Sequence, residues 1–245
     1  MTQQLLQHNS PGNNPVKVER AVFIAAGTGS RLAPITNNIP KPLVVVNGVR
    51  IIDTLLDAVY AAGIKEIYIV RGYLAEQFDQ LKVQYPSIQF LENKMYNKEN
   101  NISSLYQARH LLQNSYIIDA DFYLTNPSLI MEYQTTTNYL GIPTDATDDW
   151  CFITKDGIIT RAQIGGKNCH RFIGISYWSH ADGAKMESHI EQVYNMPGGK
   201  DCFWDQAALE YFKDDYSIKI RECKMDDVHE IDTLEDLQRL DETYL

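Results

Sequence analysis

Two acidic pairs and one glycine-rich turn are the residues of this 245-residue chain best suited to chemistry. The turn is Ala25-Ala26-Gly27-Thr28-Gly29-Ser30-Arg31-Leu32, directly after the apolar run Ala21-Val22-Phe23-Ile24, and Pro40-Lys41-Pro42-Leu43 follows. An apolar strand entering a glycine-rich turn aims backbone N–H groups at an anion. Gly27 and Gly29 let the backbone approach a ligand with no Cβ in the way. Arg31 and Lys41 add two cations beside the turn. The expected ligand is a polyphosphate, namely a nucleoside triphosphate. The turn is not a P-loop, because no Gly-Lys-Ser/Thr closes it. It is not the dinucleotide fingerprint either, because Leu32 stands where the third glycine belongs.

The first acidic pair, Asp119 and Asp121, follows the apolar run Tyr116-Ile117-Ile118. In open α/β sheets ligands gather beyond the carboxyl ends of strands. Residues two apart on a strand face the same way, so both acids are placed to hold a hard cation. Glu230-Ile231-Asp232 repeats the spacing after another strand-like run, although Asp232 with Thr233 would equally serve as a helix cap. No Ser/His/Asp or Cys/His nucleophile is evident, and phosphoryl-type transfer needs none, since positioning and charge neutralisation suffice.

Positioning these groups requires a regular scaffold. Strand runs at 21–24, 67–70, 88–91 and 116–118 alternate with helical segments. Ile51, Leu55, Ala58, Val59 and Ala62 repeat at helical spacing, with Gly63 as a stop. A short helix is expected over 74–81, and another over 102–112, capped by Asn100 or Asn101. This rhythm predicts an α/β fold: a single three-layer Rossmann-like domain with a mostly parallel central sheet. In the second half, strands at 150–153, 158–164 and 172–178 predict antiparallel hairpins. Helices at 181–194 and 204–212, a strand at 218–223 and a last helix at 233–240 follow. A small inserted lobe, which the resemblance described below implies is acceptor-binding, is expected at roughly 145–215, within one domain spanning 19–245. Residues 1–18, rich in Gln and Asn, are expected to form a flexible tail without the order of a signal peptide.

The net charge of −10 argues against nucleic acid as a partner and makes any phosphate site a local basic pocket. No apolar run is long enough to cross a membrane. Cys151, Cys169, Cys202 and Cys223 form no Cys-x-x-Cys pair or zinc spacing, so a cytoplasmic protein with free thiols is expected. Trp150, Tyr177, Trp178, Phe203 and Trp204 concentrate in the second half, beside Asp148, Asp149, Asp201 and Asp205. They are either lobe packing or a cage for a cation, whose attraction to an aromatic face is worth up to about 2 kcal/mol when desolvated.

The run Ala25 to Leu32 with Pro40 to Leu43 resembles the signature of nucleotidyltransferases that join a nucleoside monophosphate to a phosphorylated small molecule. The resemblance runs from about Ala21 to the C-terminus. It implies that Ala26, Gly27, Thr28, Gly29 and Ser30 wrap the triphosphate while Arg31 and Lys41 neutralise it as the catalytic cations. It implies Mg²⁺ held by Asp121 and Asp232, with Glu230 close by and Asp119 on the nucleotide side. Asn100 to Leu105 is similar to the segment facing the base or ribose, which brings in Asn101 and Ser104, though a helix cap explains that cluster equally well.

Tyr116 to Asp121, Asp149-Trp150, Phe203-Trp204-Asp205 and His229 to Asp232 resemble the phosphocholine cytidylyltransferase branch, which makes CDP-choline from CTP and phosphocholine. That branch implies an acceptor site of Trp150, Tyr177, Phe203, Trp204, Asp205 and Glu230. Here Phe203 stands where a tyrosine is expected. The alternatives are a sugar-1-phosphate or an aminoethylphosphonate acceptor, and a non-catalytic nucleotide sensor that would not need the acids. The oligomeric state stays open, with a homodimer admitted.

Overall fold

A computed structural model describes residues 14–245. Strand β1 (Val16–Lys17) precedes the first long strand, β2 (Arg20–Ala25), which runs into the glycine-rich turn. A small hairpin, β3 (Val45–Val46) and β4 (Val49–Arg50), leads into helix α1 (Ile51–Ala61). Strand β5 (Glu66–Arg71), the short helix α2 (Leu81–Gln84), β6 (Ile88–Glu92), helix α3 (Ile102–Ala108) and β7 (Ser115–Asp119) complete the first half. After β8 (Phe122–Leu124) and β9 (Tyr133–Gln134) come two long strands, β10 (Asn138–Lys155) and β11 (Ile158–Trp178). Helix α4 (His180–Asn195), β12 (Lys219–Glu222), β13 (Val228–Glu230) and α5 (Leu234–Leu240) close the chain.

The central sheet runs β10-β12-β11-β7-β2-β5-β6. Its β7-β2-β5-β6 portion is parallel, as the βαβ rhythm predicts, while β11 joins β7 antiparallel. Alternation along β2 divides the core. Ala21 and Phe23 face α1, where Ile52, Leu55, Leu56 and Val59 cover them. Val22 faces the other layer, with Ile102 and Leu105 of α3 and Met186, Ile190 and Val193 of α4. A residue period of two puts successive side chains of a strand on opposite faces, so one strand serves both layers.

Four local expectations are corrected. Val16–Lys17 pairs with Tyr133–Gln134 and Val18 is buried, so these tail residues belong to the fold; residues 1–13 lie outside the described residues. The strands of the second half are far longer than their apolar runs, because β10 and β11 pair through polar stretches such as Thr144↔Cys169. The segment after Trp204 forms only one π-helical turn, Ala207–Tyr211. Asn101 occupies the position before α3 but its side chain does not cap it; its Oδ1 instead accepts the backbone N–H of Trp204 at 2.9 Å.

Candidate active site

The glycine turn, the Pro-Lys-Pro segment and the Glu-Ile-Asp run are locked together by a small separate core. Leu32, Val44, Val46, Ile51, Ile231 and Leu237 are all buried in it. Ile231 turns inward, and Glu230 and Asp232 on either side therefore turn toward the cleft, as alternation demands. Strand β13 pairs with β8 through Glu230↔Phe122, and the N–H of Ile231 donates to the carbonyl of Asp121 at 3.1 Å. That ladder brings the two acidic regions together. Carboxylate oxygens of Asp121, Glu230 and Asp232 lie within 4.8 Å of one another.

Gly29 adopts φ +61°, and a Cβ there would lie 2.9 Å from the Cβ of Lys41. The position thus needs glycine both for its backbone conformation and for space. Its carbonyl accepts the Thr36 hydroxyl at 2.9 Å, which fixes the turn. Gly27 has no atom of the described residues, its chain neighbours aside, within 4 Å of its would-be Cβ and opens onto the cleft. Lys41 is 7% exposed, and its Nζ lies 3.1 Å from Asp121 Oδ2 and 2.5 Å from Asp232 Oδ1. Burial alone would lower its pKa, but the two carboxylates outweigh that and raise it, so the ammonium stays charged. Arg31 reaches Asp232 Oδ2 at 2.9 Å while remaining largely exposed, free to turn to an incoming anion.

These residues line one cleft of about 950 Å³, together with Thr28, Ser30, Asn101, Asp119, Trp150, Phe203, Trp204 and Asp205. The rings of Trp150 and Phe203 meet edge to face at 6.2 Å on one wall, and Phe203 is 43% exposed. Trp204 is buried, stacked on Tyr139 with centroids 6.1 Å apart, and its indole N–H points to Asp119 Oδ1 at 3.4 Å. Burial, reinforced by Asp121 and Asp205, raises the Asp119 carboxyl well above the usual range. Burial pushes Asp205 up to about 6. Burial, then repulsion from Asp121, Asp232 and Asp149, pushes Glu230 up to about 8 against the pull of Arg171.

The structure gathers most of the expected site residues along the cleft and leaves three of them buried outside its lining. Tyr177 is 1% exposed in the sheet core, its hydroxyl donating to Asn114 Oδ1 at 2.6 Å, so it is no part of the acceptor wall. It points into the α1 layer, because β11 sends alternate residues to opposite faces. Ser104 is also buried, its Oγ accepting from Asn93 Nδ2 at 2.9 Å. Ala26 is buried beneath the turn, its carbonyl accepting the N–H of Tyr73. Asp119 and Asp121 do not act as one pair: β7 ends at Asp119, so the two diverge, and Asp119 turns to Trp204 while Asp121 joins Glu230 and Asp232. Thr233, not Asp232, caps α5.

Two residues went unread in the sequence. Arg171 places a guanidinium nitrogen 3.5 Å from Glu230 and 3.6 Å from Asp149. Its signal was a basic residue in register with the buried row Ile173, Ile175 and Tyr177, where a charge must be paired. Gly174 packs against the Asp119 carboxylate so closely that any side chain would displace it; a glycine inside a strand marks such an approach.

The acidic trio fits a divalent cation. Among the described residues Asp121 Oδ1 is buried with no hydrogen-bond partner, and three carboxylates in mutual repulsion share the site. All the donors are hard oxygens, which suit Mg²⁺. All four cysteines are free thiols and buried, and no helix among the described residues is long and apolar enough to cross a membrane.

This geometry has counterparts among known proteins. The family model described as nucleotidyl transferase matches residues 20–137. The 2-aminoethylphosphonate cytidylyltransferase of Lancefieldella rimae is 32% identical over 238 residues, 96% of each chain. The choline-phosphate cytidylyltransferase of Streptococcus pneumoniae is 33% identical over 224 residues, 91% of this chain and 97% of the relative. The solved structure of CTP:phosphocholine cytidylyltransferase from Streptococcus pneumoniae aligns with a TM-score of 0.85 at 31% identity, over 94% of this chain and all of that one. The chain is thus an enzyme, and it belongs to the nucleotidyl transferase family.

Proposed function

We propose that the protein transfers CMP from CTP to phosphocholine, giving CDP-choline and pyrophosphate. The observation that carries this reading is the aromatic pair Trp150–Phe203 with its acidic rim, in the same cleft as the glycine turn and the acidic trio. A trimethylammonium group has no N–H to donate, so aromatic faces and a diffuse negative field are what hold it. A sugar ring would instead need many neutral hydrogen-bonding groups.

In this reading the backbone N–H groups from Gly27 to Ser30 hold the triphosphate, and Lys41 and Arg31 neutralise it. Asp121 and Asp232, with Glu230, would hold Mg²⁺, which screens two anions that must approach each other. The acceptor's phosphate oxygen attacks the α-phosphorus in line, and the bond to pyrophosphate breaks. No side chain need become a nucleophile, and the residues lining the cleft include no histidine or cysteine. Holding the reactants in line supplies much of the acceleration.

A second reading, 2-aminoethylphosphonate as acceptor, is favoured by the Lancefieldella rimae relative and by Asp149 and Glu230, which would accept hydrogen bonds from a primary ammonium. Pyrophosphate release with CTP, UTP or dTTP against phosphocholine, 2-aminoethylphosphonate and glucose-1-phosphate tests both. The highest kcat/KM is expected for CTP with phosphocholine, and Trp150→Ala should raise the acceptor KM roughly tenfold or more, as loss of a desolvated cation–π contact and its packing implies. Preference for the sugar phosphate would overturn the reading.

A further inference from the structure

We propose that Arg171 is a positioning residue, a strut that ties the aromatic acceptor wall to the acidic trio. The inference rests on the transfer reaction proposed above. Arg171 does not line the cleft, so it acts through the residues it holds. One guanidinium nitrogen lies 3.6 Å from Asp149 Oδ2, while Asp149 Oδ1 accepts the backbone N–H of Trp150 at 2.7 Å. The same nitrogen lies 3.5 Å from Glu230 Oε2, and Glu230 stands against Asp121 and Asp232. The strut thus runs from Trp150 through Asp149, Arg171 and Glu230 to the acids.

The backbone makes such a strut necessary. The register of β10 against β11 shifts between Thr147 and Trp150, and Cys151 faces both Gln163 and Arg171. Irregularities of this kind re-aim side chains and interrupt ladder pairing. Trp150, paired with Ile164, is the first residue of β10 back in register after that shift, and the Asp149 carboxylate adds a hold on its backbone N–H. Asp149 and Glu230 also repel each other, and Arg171 between them offsets that repulsion. Among the described residues the rest of the guanidinium has little else to hold it: Nε is buried without a partner and Nη1 meets only the sulfur of Met225, at 4.0 Å. The two carboxylates therefore set where Arg171 sits, and Arg171 in turn sets the spacing between the acceptor's cation site and the acids.

The test uses the full chain with CTP, Mg²⁺ and phosphocholine or 2-aminoethylphosphonate, whichever the unaltered enzyme takes. Arg171→Met should raise the acceptor KM about tenfold, the scale on which small misplacements act, and leave the CTP KM within about twofold. Arg171→Lys should recover part of the loss. Asp149→Asn should act in the same direction, and the double variant should be no worse than the worse single one, because residues sharing one interaction are not additive. A purely structural role would lower the melting temperature and disturb both substrates alike. An unchanged acceptor KM, equal effects on both KM values, or additive losses would each overturn the strut. Should Arg171→Met fail to fold, Arg171→Lys and Asp149→Asn decide by the same criteria. If the unaltered enzyme turns over neither acceptor, the proposed function falls and this inference with it. If it is active and the variants match it, only the strut falls.

Discussion

The two walls of the cleft are built in opposite ways. The wall proposed to hold the triphosphate is one short turn from Gly27 to Arg31 plus Lys41, pinned from behind by a small core in which Leu32, Val44 and Ile231 meet. The wall proposed to hold the acceptor is assembled from distant pieces: Trp150 on an irregular stretch of β10, Phe203 on the segment after α4, and acids from β7 and β13. Its aromatic partners meet edge to face, and Ile164 on its rim is 67% exposed. A packed, contiguous wall tolerates little change, whereas a wall of loosely joined parts can be retuned. In the proposed reaction the common step would fall to the contiguous wall and the choice of acceptor to the assembled one.

That contrast is broken most severely at the acids where the walls meet. Asp121→Ala should reduce kcat by roughly a thousandfold, the scale of a lost preorganised electrostatic group. The fold should survive, because Lys41 keeps Asp232 at 2.5 Å and the unpartnered Oδ1 is removed with the side chain. Circular dichroism and a melting curve beside the kinetics check this, and retained turnover would remove Asp121 from the machinery.

A smaller effect separates the two glycines of the contiguous wall. Gly29→Ala should cost about 1–2 kcal/mol of stability through its left-handed backbone alone, and more through the clash with Lys41. Gly27→Ala should leave stability within about 0.5 kcal/mol, as for most open positions, and raise the CTP KM instead. Denaturant unfolding with CTP titration distinguishes them; equal destabilisation would show that Gly27 serves packing rather than ligand approach.

The smallest effect sharpens the boundary of the assembled wall. Tyr177→Phe removes a buried hydrogen bond to Asn114 and should cost about 1 kcal/mol. Acceptor kinetics should be untouched, since the ring lies in the sheet core. A raised acceptor KM would return Tyr177 to the site.

How much was legible follows the same division. The strand, the glycine turn and the Pro-Lys-Pro segment lie within 25 residues, so their order along the chain is nearly their order in space. The βαβ rhythm likewise marked a mostly parallel sheet, since helices must cover both of its faces. Tyr177 and Trp204 read alike in sequence as aromatics near acids, and both are buried, yet only Trp204 borders the cleft. Their difference depends on which face of β11 meets α1 and on Asn101 holding the Trp204 backbone. Ser104 read as a base contact because polarity marks a hydrogen bond without naming its partner, which here is Asn93.

The amino-acid order by itself determined the chemistry on offer: an anion-binding turn, a lysine between prolines, and acids at strand ends. These depend on local backbone preference and on the alternation of side chains, both of which act over a few residues. Tertiary structure decided which acids work together. Asp121 and Asp232 meet because β8 pairs with β13 across more than a hundred residues of chain, and Arg171 finds Asp149 and Glu230 only once β10, β11 and β13 are in place. Alternation states which way a side chain faces, and only strand pairing states what it faces.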